Sequence, residues 1–162
     1  MTIEEARVPT NAEVIDMIRG HHDALARRLD EKTDALLAAA EEGDASDERR
    51  ELDAWYRNEL IPHALAEEAT LYLAGDALEP TSLLVQGMLD EHRAIVAAVD
   101  ELAAAQTALS MALAAACARS LFSVHLVKEN DLLLPALDAA GLDLTVLLEG
   151  MHDILGASQH PG

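Results

Sequence analysis

Apolar residues return every three or four positions along most of this chain, the spacing that lines one face of an α-helix. The clearest row is Ile15, Ile18, position 22, Leu25, Leu29 and Leu36; a second is Val85, Met88, position 92, Ile95, Val99 and Leu102. Thr10-Asn11-Ala12-Glu13 has the T-x-x-E form of a capping box, which predicts a first helix to about Glu42, stopped by Gly43-Asp44-Ala45-Ser46. A second helix is expected from about Asp47 to Ala74, ahead of Gly75-Asp76. A third should start near Pro80, a residue favoured in a first helical turn. Gln106-Thr107 marks the turn into a fourth helix, with Thr107 as its cap and Gly141 as its end. Asp143 then caps a short fifth helix in which Leu144, Leu147, Leu148, Met151 and Leu155 keep the spacing, before a tail from Gly156 to Gly162. The expected fold is all-α: an up-down four-helix bundle over about residues 12–140, a short C-terminal fifth helix with its tail over 143–162, and one domain over 1–162.

Composition agrees with that reading and narrows the partners. Of 162 residues, 51% are hydrophobic but only 2% aromatic, and Ala, Leu, Glu, Asp and Arg are frequent, so one Ala- and Leu-rich helical core is expected. Eleven Lys and Arg stand against 30 Asp and Glu, a net charge of −19 that repels nucleic-acid phosphates and anionic lipid surfaces. Neither nucleic acid nor a membrane is therefore an expected partner. The longest uncharged stretch, Leu102 to Ala118, is mostly Ala and includes Gln106, Thr107 and Ser110, which falls short of the roughly 20 apolar residues of a membrane span. A single Cys117 precludes an internal disulfide, and MTIEEARVPT lacks the basic-then-apolar form of an export signal, so the cytoplasm is the expected location.

The chemistry sits inside the apolar rows. Positions 22 and 92, each in the middle of an inward row, are both His. The second helix holds His63 and Glu67 and the fourth His125 and Glu129, each an i, i+4 pair that shares one helix face. Leu121 and Leu132 flank the latter pair and suggest that its face points inward. From His63 to Ala74 is 11 residues and from Pro80 to His92 is 12, so at about 1.5 Å per residue the two sites lie at one level of a bundle. Two buried carboxylates beside four imidazoles, with no inward Lys or Arg, are costly unless a cation compensates them. Two metal ions would supply that charge, and imidazole with carboxylate suits Fe, Mn, Zn and Co alike.

The segments GHHDAL, PHALAEEATLY, DEHRAI and HLVKENDLLLP together resemble the hemerythrin-like, or HHE cation-binding, family of four-helix bundles, over about residues 12–140. That resemblance implies a non-haem di-iron centre with an oxo or hydroxo bridge, with Mn or Zn as alternative metals. Its ligands would be His22, His63, Glu67, His92, His125 and Glu129, the two glutamates bridging the metals. The chain departs from the oxygen-carrying members in two places. They have a second His four residues from the first on helix three, where this chain has Met88 and Val96, and their helix four reads H-x-x-x-x-D rather than H-x-x-x-E. Two His per metal would leave each ion an open position, which favours binding and reduction of hydrogen peroxide, O2 or nitric oxide over simple O2 carriage. The activities in view are peroxidase-like, catalase-like or nitric-oxide-processing; the alternative is an O2, NO, redox or iron sensor or binding module without turnover. Ferritin-like bundles are disfavoured because they use four carboxylates and E-x-x-H pairs.

Several neighbours matter to this reading. Tyr56 and Glu59 lie seven and four residues before His63, and Tyr56 is the candidate second-sphere catalytic residue, a hydrogen-bond donor at the metal face. Pro62 removes an N–H and should distort helix two beside His63. His21 lies about 100° round the helix from His22 and is expected at the surface or just outside the ligands. Trp55, Tyr72 and Phe122 read as packing residues and Cys117 as a small core residue. His152, His160 and the acidic positions Glu4, Glu5, Glu41, Glu42, Asp44, Asp47 and Glu48 read as surface.

Overall fold

The computed structural model describes residues 7–158. Glu4, Glu5 and His160 therefore lie outside the described residues. Within them the chain is helical and contains no strand. Thr10 accepts from the Glu13 amide while Glu13 accepts from the Thr10 amide at 2.8 Å, so the capping box forms and opens α1 (Asn11–Glu41). Gly43, at φ 100°, turns the chain into α2, residues 46–76. Pro80 sits in the first turn of α3 (Glu79–Ala104). Thr107 forms a capping box with Ser110 at the start of α4 (Ala108–Ala139). Gly141, at φ 77°, precedes α5 (Leu144–Ser158). One boundary differs from expectation: α5 runs through Gly156 to Ser158, so the expected tail is in part helical.

Two of the long helices are not uniformly α. The second consists of Ser46–Trp55, Ile61–Glu67 and Leu73–Asp76, separated by π-helical turns at Tyr56–Leu60 and Glu68–Tyr72; the fourth holds a third π turn at Glu129–Leu133. Two of these turns follow from proline. Pro62 and Pro135 have no N–H to give the carbonyls four residues earlier, so the ladder widens: the Ile61 N–H reaches the Tyr56 carbonyl and the Leu134 N–H reaches that of Glu129. The distortion expected from Pro62 is thus a π turn immediately before His63.

α3 packs along α4, α1 against α4 and α2, and α2 against α3, while α5 lies on α1 and α2. Both inward rows are buried as expected, from Ile15 to Leu36 on α1 and from Val85 to Leu102 on α3. The apolar core forms two clusters: one includes Leu25, Leu29, Trp55, Ile95 and Phe122, the other Ile18, Leu71, Met88, Leu133 and Leu144. His22 lies between Ile18 and Leu25, and His92 between Met88 and Ile95, so the histidine layer separates the two clusters. On α4 the inward row passes through Ala118, Phe122 and Leu133; Leu121 is only half-buried, Leu132 is exposed and so is Cys117. The π turn adds one residue after Glu129 and carries the inward position from 132 to 133. Cys117 misses the row because its neighbour Ala118 occupies it. By length and composition α4 alone among the described helices would suffice to cross a membrane; in this fold it is packed by α1 and α3 and bears His125 and Glu129.

Close approach of the end of α2 to α3, with Leu133 of α4 beside it, depends on Gly75. A Cβ there would lie 2.9 Å from a Val85 methyl and 3.0 Å from a Leu133 methyl, whereas one at the exposed helical Gly87 would meet nothing within 4 Å. Gly75→Ala is expected to lower stability by about 1–3 kcal/mol through overpacking. Gly87→Ala should raise it by about 0.5–1 kcal/mol by restricting the unfolded chain. Urea unfolding of both variants checks the pair, and a shift of the same sign in both would contradict the close contact at Gly75.

Candidate metal centre

Each of the four long helices delivers one imidazole to the layer between the apolar clusters: α1 His22, α2 His63, α3 His92 and α4 His125. Glu67 and Glu129 arrive one turn beyond His63 and His125. All six side chains are buried, none more than 6% exposed. Their Nε2 atoms converge on the carboxylates. His63 Nε2 lies 2.6 Å and His22 Nε2 3.1 Å from Glu67 Oε1, while His92 Nε2 lies 3.8 Å from Glu67 Oε2. Glu129 Oε2 stands 3.8 Å from His22 Nε2 and 3.7 Å from His125 Nε2. His92 and His125 bring their Nε2 atoms within 3.1 Å of each other.

These donors form two sets, His22, His63 and Glu67, and Glu67, His92 and His125, each with its ligating atoms close enough to hold one metal ion. Glu67 belongs to both sets and is placed to bridge them; Glu129 belongs to neither but lies 3.8 Å and 3.7 Å from one histidine of each. Metal fits this donor set on a direct observation: both oxygens of Glu129 are fully buried and accept no hydrogen bond. Among the described residues no Lys or Arg pairs with Glu67 or Glu129. A buried carboxylate left in that condition costs several kcal/mol unless a cation satisfies it.

The titration shifts express the same demand. Burial alone would lower the His22 pKa, but its hydrogen bond to Glu67 and the Glu129 and Glu67 charges outweigh that and hold it up at about 9. Burial likewise lowers the His125 pKa, but the Glu129 carboxylate outweighs it and the pKa is raised. Burial would raise Glu67; the charges and hydrogen bonds of His63 and His22 bring it well below the usual carboxylate range. The two carboxylates thus favour positive charge on the imidazoles around them wherever no cation offsets it.

Three of the histidines are held from behind. His22 Nδ1 donates to Asn130 Oδ1 at 2.7 Å, His92 Nδ1 to Glu68 Oε1 at 2.7 Å, and His125 Nδ1 to Glu91 Oε2 at 3.1 Å, with Lys128 paired to Glu91 in turn. Donation from Nδ1 leaves the Nε2 lone pair facing inward, the tautomer a metal requires. His63 differs: its Nδ1 is buried without a hydrogen-bond partner. Sequence reasoning missed these outer partners, although each sits beside a candidate ligand: Glu68 after Glu67, Glu91 before His92, Asn130 after Glu129.

The tyrosine roles change. Tyr72, read as packing, lies in the layer, its hydroxyl 2.8 Å from His125 Nε2 and 3.4 Å from His92 Nε2. Tyr56, the expected second-sphere donor, belongs to the cluster that holds Trp55 and Phe122, and its buried hydroxyl makes no hydrogen bond. The seven-residue walk from Tyr56 to His63 assumed a regular α-helix, and the intervening π turn shifts that register by a residue. Glu59 is exposed and paired with Arg28. His21 is exposed, its ring 4.8 Å from that of His63, and His152 is exposed on α5.

A helical fold with four imidazoles and two carboxylates in one buried layer defines a histidine–carboxylate metal-binding protein. The family model of the Hemerythrin HHE cation binding domain matches residues 13–137, and the chain belongs to that family. No curated protein and no solved structure matches the chain.

If these six residues ligate metal, His63→Ala and Glu129→Gln should each lower the metal bound per chain, whereas Glu59→Ala, on the exposed face, should leave it unchanged. Elemental analysis of protein purified without added metal measures this; an unchanged metal count in both layer variants would exclude those residues as ligands. Removing metal from the parent protein should lower its melting temperature, since a ligand at a hundred times its Kd stabilises the fold by about 2.7 kcal/mol.

Proposed function

We propose that this protein is a di-iron hemerythrin-like protein that binds and reduces a small oxidant: hydrogen peroxide, O2 or nitric oxide. The reading takes the four long helices as an up-down bundle joined by short turns and assigns His22, His63, Glu67, His92, His125 and Glu129 as ligands. The observation that carries it is that the layer offers two imidazoles to each metal position and no third. The four-residue neighbours of His92 are Met88, fully buried, and Val96, 38% exposed, so neither metal gains further protein protection on that helix. Two bound iron ions would supply an electron each and open coordination for the oxidant.

The chain's own contribution is access, an apolar approach and a hydrogen-bond donor. A cavity of about 300 Å³ reaches His63, Glu67 and His92 between α2 and α3, with apolar walls that include Leu60, Ile95, Val96 and Phe122. Such walls, which carry no imidazole at the mouth, suit small neutral molecules. Within the layer Tyr72 keeps its proton, because burial first and then the charges of Glu129 and Glu67 push its pKa far up. Its hydroxyl is therefore a hydrogen-bond donor beside His92 and His125, placed to bond to the oxygen of a bound oxidant.

Tyr72→Phe should leave the metal content intact and slow peroxide consumption by about 10–100-fold, the loss expected on removing an outer hydrogen bond at a metal site. Met88→His adds an imidazole one turn before His92; that variant should consume peroxide more slowly and bind O2 more reversibly than the parent. Stopped-flow mixing of the reduced proteins with O2, beside steady-state peroxide consumption, decides the matter. Reversible O2 binding by the parent, with no peroxide consumption above that of free iron, would replace turnover by carriage or sensing.

A further inference from the structure

His63 forms a wall between two cavities. The apolar one lies toward α3; the other, of about 210 Å³, lies beneath α5 and brings the imidazoles of His21, His152 and His63 together with Met17 and Met151 against an aliphatic wall of Ile18, Leu148 and Leu155. We propose that this second cavity is the entry station for a hydrated divalent cation of the ferrous class, which His21 and His152 receive and His63 passes to Glu67. The inference rests on the metal reading above and adds a route and an order of filling to it.

Five observations support the route. His63 is the one layer histidine whose Nδ1 has no partner behind it, whereas Asn130, Glu68 and Glu91 hold the other three. Outer partners of this kind are worth about 10–100-fold in metal affinity, so His63 is the ligand freest to turn. Its ring is 4% exposed and packs 4.8 Å from the ring of His21, an imidazole that no part of the proposed reaction uses. Met17, His21 and His152 are exposed, so the cavity opens at the surface. At about 30 Å³ per water, its volume accommodates a cation with part of its hydration shell, and imidazole with thioether suits a borderline transition-metal ion rather than Mg²⁺ or Ca²⁺. The net charge of −19 draws cations toward any such opening.

The same asymmetry ranks the two metal positions. His92 and His125 are both backed by carboxylates, while His22 is backed by a neutral amide and His63 by nothing. The His22–His63 position is therefore the one that exchanges, and it is the one beside the entry cavity.

The test uses metal-free full-length protein mixed anaerobically with Co²⁺ in a stopped-flow instrument, with uptake read from visible absorption and stoichiometry from elemental analysis. The parent should bind two Co²⁺. The double variant His21→Ala/His152→Ala should reach the same final stoichiometry about tenfold more slowly, a fold-change within the range for lost metal-orienting partners. Both residues are exposed, so their truncation spares the core; Leu148→Trp, which fills the cavity without removing an imidazole, should slow uptake as well. A chelator should strip one Co²⁺ from the parent faster than the other. Uptake at the parent rate in all these variants, or simultaneous release of both ions, overturns the entry route while leaving the metal centre standing. Failure of the parent to bind two Co²⁺ would instead overturn the di-metal reading and the route with it.

Discussion

Everything distinctive in this molecule follows from placing two carboxylates and four imidazoles at one level of an otherwise apolar helical core. Above and below that level Leu, Ile, Val and Ala pack as in any helical bundle, and the two clusters they form meet only around the polar layer. Glu129 makes the constraint plain, because both of its oxygens are buried with no donor at hand. A designer seeking stability alone would replace such a group with an apolar side chain of similar volume. Its presence makes sense where a bound cation compensates the charge, so that ligand binding and folding become one equilibrium.

The π turns are the backbone's answer to the same constraint. A regular α-helix presents one inward residue per turn, alternating by three and four, which suffices for a row of leucines. The layer requires more of α2 and α4: an inner ligand pair, and outer residues such as Glu68 and Asn130 that immediately follow a ligand yet still reach a histidine on another helix. Turns at Tyr56–Leu60, Glu68–Tyr72 and Glu129–Leu133 each add a residue next to a His-x-x-x-Glu pair and so change which side chains face inward on either side of it. Pro62 and Pro135 make two of these irregularities inherent in the sequence rather than induced by packing. The third has no proline, though the Thr70 hydroxyl bonds the Ala66 carbonyl within it.

This division also decides what could be read from the chain before its structure was seen. Helices α1 and α3 are regular, so their periodicity placed His22 and His92 among the core residues, and those positions are buried in the same rows as their apolar neighbours. Where π turns intervene, the same periodicity misled: Leu132 was expected inside and is exposed, and Tyr56 was expected at the layer where Tyr72 stands. An inserted residue shifts the phase by about 100°, and a wheel drawn at 3.6 residues per turn has no means of registering that. The outer partners were hidden for another reason. Glu68, Glu91 and Asn130 are polar residues on helices already rich in such residues, and only three-dimensional proximity separates them from the solvated acidic face.

The unequal support behind the four imidazoles gives the layer a direction. Charge-backed His92 and His125 form its anchored half, with Tyr72 donating into it. His22 and His63 form its looser half, adjoining both cavities through His63. A symmetric layer would bind two cations alike and offer no reason for one side to admit a molecule more readily than the other. In this chain the cavity beneath α5, the exposed imidazoles of His21 and His152, and the unpartnered Nδ1 fall on the His63 side, the apolar cavity touches both halves at His63 and His92, and Tyr72 bonds within the anchored half. The proposed exchange of metal thereby falls on the half whose histidines have the weaker backing, while the donors that must stay in register belong to the half backed by carboxylates.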